Sequence, residues 1–174
     1  MRKVSNLQGG RNAVFFLAAL LVVVADQLSK LWIRSNLDIG QSLFEVGIFQ
    51  ITRFPPNTGA AFGLFPGQSF ALTIVAIVGI ALLLVYAFVI SPRFLSLDNL
   101  LGRSALGLIL GGTIGNLIDR LRYLLHQLGG ITDFISIGIW PAFNLADSAI
   151  VVGVILFAYS LLRLARTGKH DLSA

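Results

Sequence analysis

None of the 174 residues is a cysteine, which removes disulfide cross-links, thiolate nucleophiles and cysteine-held metals together. Histidine is almost as scarce. His126 and His170 lie far apart and neither sits in an HExxH pattern, so a zinc peptidase centre has nothing to be built from and no metal or cofactor is expected. Charge is thin as well: 12% of the residues are charged, 56% are hydrophobic, and the mean hydropathy is +0.84. One soluble core of this size could not hide that much apolar surface, and the composition is that of a membrane protein. The net charge of +5 comes from basic residues gathered around apolar runs, so anionic lipid headgroups, and not nucleic acid, are the expected partners.

What the chain has in abundance is long apolar runs. Four reach the roughly 20 residues that a membrane-crossing helix needs, at about 13–33, 70–90, 104–125 and 143–164. We read residues 1–174 as a single polytopic domain, an α-helical integral membrane protein of four transmembrane helices. A small extracytoplasmic β-hairpin or sheet is expected in the outer loop at about 34–69, where Ile48-Phe49-Gln50-Ile51-Thr52-Arg53-Phe54 alternates. Residues 131–139 alternate too and are too short to span as a helix, which places Asp133 on an extended or re-entrant segment. Gly107, Gly111 and Gly115 put three bare patches on one face of the third span, where another helix can approach closely.

Orientation follows from the basic residues. Arg2, Lys3, Arg11, Arg93, Arg103, Arg163, Arg166 and Lys169 flank one side, and Lys30, Arg34, Arg53, Arg120 and Arg122 the other. That bias places both termini and the loop at 91–103 in the cytoplasm. The basic start and apolar run of residues 1–25 resemble a cleavable leader, but the run continues past Asp26 to Trp32, and an uncleaved first span is expected.

In this topology Asp26, Asp119, Asp133 and Asp147 all fall near the outer face, leaving Asp98 and Asp171 at the inner one. Acids at bilayer depth cost a few kcal/mol or more and are read first as functional. Each also has a plain structural explanation. Asp26 and Lys30 stand one helical turn apart and suit an ion pair. Asp119 beside Arg120 reads the same way. Asn144, three residues before Asp147, suits a helix cap with an acid in the first turn. Asn57-Thr58-Gly59 suits a turn. A Ser29–Lys30 dyad has no motif behind it. On these residues alone an enzyme, a proton- or cation-coupled transporter and a non-catalytic adaptor stand level.

Five motifs, in order, separate them. Asp26-Gln27-Leu28-Ser29-Lys30, Asn57-Thr58-Gly59-Ala60-Ala61-Phe62-Gly63, the stretch from Gly111 through Asn116 and Asp119 to Arg120, Ile131-Thr132-Asp133-Phe134 and Phe143-Asn144-Leu145-Ala146-Asp147-Ser148 together resemble the bacterial lipoprotein signal peptidases, the signal peptidase II family of integral-membrane aspartyl proteases. The resemblance implies that Asp133 and Asp147 are catalytic. It implies that Asn57, Gly59, Asn116, Arg120 and Asn144 bind substrate or support the pair, with Asp26, Lys30 and Asp119 accessory. It further implies a monomeric enzyme of the bacterial inner membrane, active near the outer face without a cofactor. Its substrate would be a diacylglyceryl-modified prolipoprotein, cut before the lipidated cysteine. Thr132 departs from the small aliphatic residue usual there, as Pro55-Pro56 does from a more strand-like approach. Two adjacent carboxylates sharing one proton would serve as base and acid in water-mediated hydrolysis. The lipid-bearing substrate would enter sideways between helices, with the glycine face of the third span as one wall.

Overall fold

A computed structural model of the chain describes residues 2–59, 67–93 and 99–170. Ala60, Ala61, Phe62 and Gly63 of the second motif, together with Asp98 and Asp171, lie outside the described residues. The elements run α1 (Arg2–Asn36), β1 (Ser42–Val46), β2 (Phe49–Thr52), α2 (Ser69–Val85), α3 (Leu100–Leu124), β3 (Ile135–Ile137), β4 (Trp140–Phe143) and α4 (Leu145–His170). The α2 rod continues through a π-helical turn, Tyr86–Ile90, and a 3-10 turn, Ser91–Arg93, which contains Pro92. Among the described residues, four helical segments are long and apolar enough to cross a membrane: Gly9–Asn36, Ser69–Arg93, Leu100–Leu124 and Leu145–Leu164. With the sheet described below, they make this a four-helix membrane protein bearing a small antiparallel sheet.

Helix α3 is the inner one. Half of its apolar window is buried, against 11–22% for the other three, and glycine is the reason it can sit there. A Cβ on Gly107 would lie 2.5 Å from Phe15 O, and one on Gly111 would lie 2.6 Å from Ala19 O, so both glycines let α1 approach backbone to backbone. Gly112 and Gly153 do the same between α3 and α4, since a Cβ on Gly112 would run into Ala146 O. Phe15, Ala19, Ala87, Leu106 and Leu110 form a buried cluster among α1, α3 and the π-helical turn after α2. The other faces of α1, with Phe16, Leu20, Leu21 and Leu28 exposed, are apolar surface of the kind lipid covers.

The sheet draws on two distant parts of the chain. β1 and β2 form the hairpin expected of the first outer loop, and β3 and β4 complete a four-stranded antiparallel sheet in the order β1-β2-β3-β4. Gly47 and Gly138 take positive φ in the two hairpin turns, where a side chain would be strained. The register between the hairpins is Phe49↔Ile137, Gln50↔Ser136 and Ile51↔Ile135. Pairing continues beyond it through Thr52 N to Phe134 O at 2.9 Å, Phe54 N to Asp133 O at 3.3 Å, and a two-bond bridge between Asn57 and Ile131 at 2.9 Å each way. Gly130 permits that bridge, because a Cβ there would sit 2.7 Å from Asn57 O. Asp133 is therefore held on extended backbone, and the buried trio Ile33, Leu37 and Phe134 fastens this segment to the end of α1. Phe143, at the head of the fourth apolar run, ends β4, and the helix begins at Leu145.

Candidate active site

Asp147 lies in the first turn of α4, where Asn144 caps the helix: Asn144 Oδ1 accepts from Asp147 N at 3.1 Å and Asp147 Oδ2 accepts from Asn144 N at 3.1 Å. This reciprocal capping satisfies two amides that the helix leaves unpaired. It occupies only one carboxylate oxygen. Asp147 Oδ1 faces Asn116, whose Nδ2 donates to it at 2.8 Å. The Asn144 side chain has a second task, since its Nδ2 donates to Asp133 Oδ1 at 2.7 Å and to Asn116 Oδ1 at 3.2 Å. The cap and the site are thus one arrangement, and two asparagines tie together the carboxylates of Asp133 and Asp147. Asn57 adds a third amide, on the far oxygen of Asp133. Its Oδ1 accepts from Gly59 N at 2.9 Å, closing the expected turn, while its Nδ2 donates to Asp133 Oδ2 at 3.1 Å. Burial, then the neighbouring Asp147, push the Asp133 carboxyl up to about 6, against the amide bonds from Asn57 and Asn144 and the charge of Lys30, which pull it down.

Beneath this pair lies a second charged cluster. Lys30 Nζ stands 2.9 Å from Asp26 Oδ2 and 3.2 Å from Asp119 Oδ2, with all three residues fully buried. The ion pair expected between Asp26 and Lys30 is present. The one expected between Asp119 and Arg120 is not, because adjacent helical residues point about 100° apart. Asp119 faces Lys30 and, at 3.7 Å, Arg34, whereas Arg120 turns the other way and donates from Nη2 to Gly59 O at 2.8 Å. Ser29 Oγ bonds to Asp26 O at 2.9 Å, while Lys30 Nζ is committed to Asp26, Asp119 and Asn116. No serine–lysine dyad forms. Gln27, Arg34 and Thr132 belong to the cluster and carried no motif signal beyond their neighbours. Arg34 donates to Thr132 Oγ1 at 2.9 Å, which gives the unusual threonine its use. The spacing 26, 30, 34 on α1 could have revealed Arg34, since it repeats one face of a helix.

Asp133 and Asp147 open onto a cavity of about 700 Å³, shared with Asn57, Asn116 and Arg120. Apart from Ser148 the remaining walls are apolar, among them Trp140 and Phe143 of β4 and Ile150 and Val151 of α4. The glycine face of α3, expected as one wall, is no part of them: Gly107, Gly111 and Gly115 are closed off against α1, and α4 and β4 supply the apolar lining instead. Arg120 Nη1, buried on this cavity, finds no hydrogen-bond partner among the described residues, and a buried guanidinium with an open donor is equipped to hold a carbonyl or carboxylate oxygen. Among the described residues no His, Cys, Asp and Glu group is suited to a metal ion.

The family model described as "Signal peptidase (SPase) II" matches residues 18–163. A lipoprotein signal peptidase of Dehalococcoides mccartyi (strain 195) is 44% identical over 158 residues, covering 91% of this chain and 94% of that protein. Another from Moorella thermoacetica is 44% identical over 148 residues, covering 85% and 92% respectively. Two bacterial membrane enzymes solved by the in meso method superpose with TM-scores of 0.75 and 0.70. The first is 31% identical, covering 87% of this chain and 88% of its own; for the second the values are 34%, 86% and 93%.

Proposed function

The chain belongs to the signal peptidase II family, a family of membrane aspartyl peptidases that act on prolipoproteins, and from the geometry of its cavity we propose that Asp133 and Asp147 are the catalytic pair. It is a bacterial multi-pass membrane protein with lipoprotein signal peptidase activity. The observation that carries the residue assignment is the shared cavity in which Asn116 and Asn144 connect the two carboxylates. Two carboxylates held this way cannot both ionise cheaply, so one proton serves the two. Asp133, with its carboxyl pushed up to about 6, holds the shared proton. Asp147 deprotonates a water that attacks the scissile carbonyl while Asp133 protonates the carbonyl oxygen; the proton held by Asp147 then passes to the departing nitrogen as the C–N bond breaks, and a diol hydroxyl returns its proton to Asp133.

Asn57, Gly59, Asn116, Arg120 and Asn144 orient the substrate and the pair. Arg120, anchored on Gly59 O, offers its open Nη1 to a backbone carbonyl of the signal peptide. The substrate is a prolipoprotein carrying a diacylglyceryl group on the cysteine that follows the cleavage point. The apolar wall of Trp140, Phe143, Ile150 and Val151 suits that lipid-bearing chain, which enters sideways from the bilayer. The acids lie toward the outer face with both termini in the cytoplasm. The basic residues flanking the spans support this, eight on the inner side against five on the outer.

The test is cleavage of a diacylglyceryl-modified prolipoprotein by purified protein in detergent. Folded Asp133→Asn and Asp147→Asn variants should each lose at least about a thousandfold in kcat, the scale seen when a member of a concerted catalytic set is removed. Cleavage surviving in either would mean that the wrong acid has been chosen.

A further inference from the structure

Two carboxylates that this chemistry does not use repeat one arrangement. Asp26 Oδ1 accepts from the backbone N–H of Ala146, the residue before Asp147, at 3.1 Å. Asp119 Oδ2 accepts from the backbone N–H of Thr132, the residue before Asp133, at 3.4 Å. Each acid belongs to a helix that carries neither Asp133 nor Asp147, so each fastens one arm of the pair to the α1–α3 core. Gly115 makes room for this, since a Cβ there would lie 2.6 Å from Asp26 Oδ2. A single ammonium stands between the two, with Lys30 Nζ 2.9 Å from Asp26 and 3.2 Å from Asp119.

The third bond of that ammonium reaches Asn116 Oδ1 at 2.9 Å. A terminal amide has an accepting end and a donating end. With Oδ1 taken up by Lys30, Nδ2 is the end left for Asp147, to which it donates at 2.8 Å. The reversed amide would set two donors against each other at Lys30 and two acceptors against each other at Asp147. All three N–H bonds of Lys30 are thereby used in directions that a planar guanidinium could not reproduce. We propose that Lys30 is the positioning residue of the aspartate pair, a buried ammonium that holds both backbone arms through Asp26 and Asp119 and fixes the direction of the Asn116 amide. This rests on the assignment of Asp133 and Asp147 as the reacting acids.

Lys30→Met alone leaves two buried carboxylates facing each other and can fail to fold. Lys30→Met combined with Asp26→Asn removes one charge of each sign, keeps an oxygen for Ala146 N and leaves Asp119 beside Arg34. For this folded double variant, kcat is expected to fall about 100-fold, the scale of an ångström of misplacement, while KM stays within about threefold. The basic limb of its pH profile should move upward, because Asp133 loses the charge of Lys30 and keeps Asp147, Arg120 and Asn57 around it. Asp119→Asn, which leaves Lys30 its partner Asp26 and Thr132 N an oxygen, gives a second reading: kcat lower by about tenfold at unchanged KM. Wild-type kcat and pH profile in either folded variant would overturn the proposal. Asp133→Asn and Asp147→Asn measured alongside keep the two readings apart: activity surviving there removes the pair itself, whereas dead aspartate variants beside a fully active Lys30 double variant remove only the role of Lys30.

Discussion

Asn144 caps the helix that carries Asp147 and, from the same side chain, reaches Asp133 at 2.7 Å. Oδ1 serves the helix and Nδ2 serves the pair, so the two tasks are chemically separable. Serine caps helices about as well as asparagine but has no amide to extend to a second carboxylate. Asn144→Ser is therefore expected to unfold within a few degrees of wild type yet to lose about 10- to 100-fold in kcat. Asn144→Ala should lose the cap as well, at about 1–2 kcal/mol of stability. Thermal unfolding in detergent beside prolipoprotein cleavage separates the two, and a fully active Asn144→Ser would show that the bridge between the carboxylates has no catalytic weight.

The raised carboxyl of Asp133 sets the sign of two pH effects. A group protonated more readily in the folded state than in the unfolded one stabilises the fold at low pH. That contribution is whole below the ordinary carboxylate value near 3.8 and is lost as pH rises through about 6. Thermal stability in detergent should decline across that window, and Asp133→Asn should flatten the decline. Activity has the same basic limb, since the acid member of the pair must keep its proton, and kcat/KM should fall as pH rises beyond about 6 in the free enzyme. Asn57 donates to Asp133 at 3.1 Å and favours its ionised form. Asn57→Ala should therefore move the basic limb to higher pH, and a shift the other way would contradict this reading of the site.

Much of this was legible because it is local. Apolar length marks the four helices, the spacing of Asp26 and Lys30 marks their ion pair, and the interval from Asn144 to Asp147 marks the cap. The misreadings concern partners that lie far away in the chain. Alternation at Ile48-Phe49-Gln50-Ile51 signals a strand and its hairpin but does not name the second neighbour, which is supplied by residues 135–137. Arg34 meets Thr132 across 98 positions, and nothing in either residue's surroundings announces it. Asp119 and Arg120 are adjacent in sequence and were paired for that reason, whereas the helix sends one to Lys30 and the other to the cavity. The glycine face was correctly a close-contact face, but its occupant is α1 and not substrate.

Glycine in these helices has two distinct meanings, and one substitution tells them apart. Gly112 sits where a Cβ would run into the carbonyl of Ala146, in the first turn of α4 directly before Asp147. Alanine there must push that turn outward, which is overpacking at a cost of about 1–3 kcal/mol, and it displaces Asp147 from the Asn116 amide. Gly79 on α2 has open space around it, so alanine adds no clash and removes some backbone freedom, which leaves stability unchanged or raises it by about 0.5–1 kcal/mol. Gly112→Ala is therefore expected to lower both the unfolding temperature and kcat, and Gly79→Ala neither. Unfolding and cleavage measured on the same preparations decide the matter. An active, stable Gly112→Ala would mean that α4 can shift away from α3 without moving Asp147, and that the position of the pair is set by Asn116 and Asn144 alone.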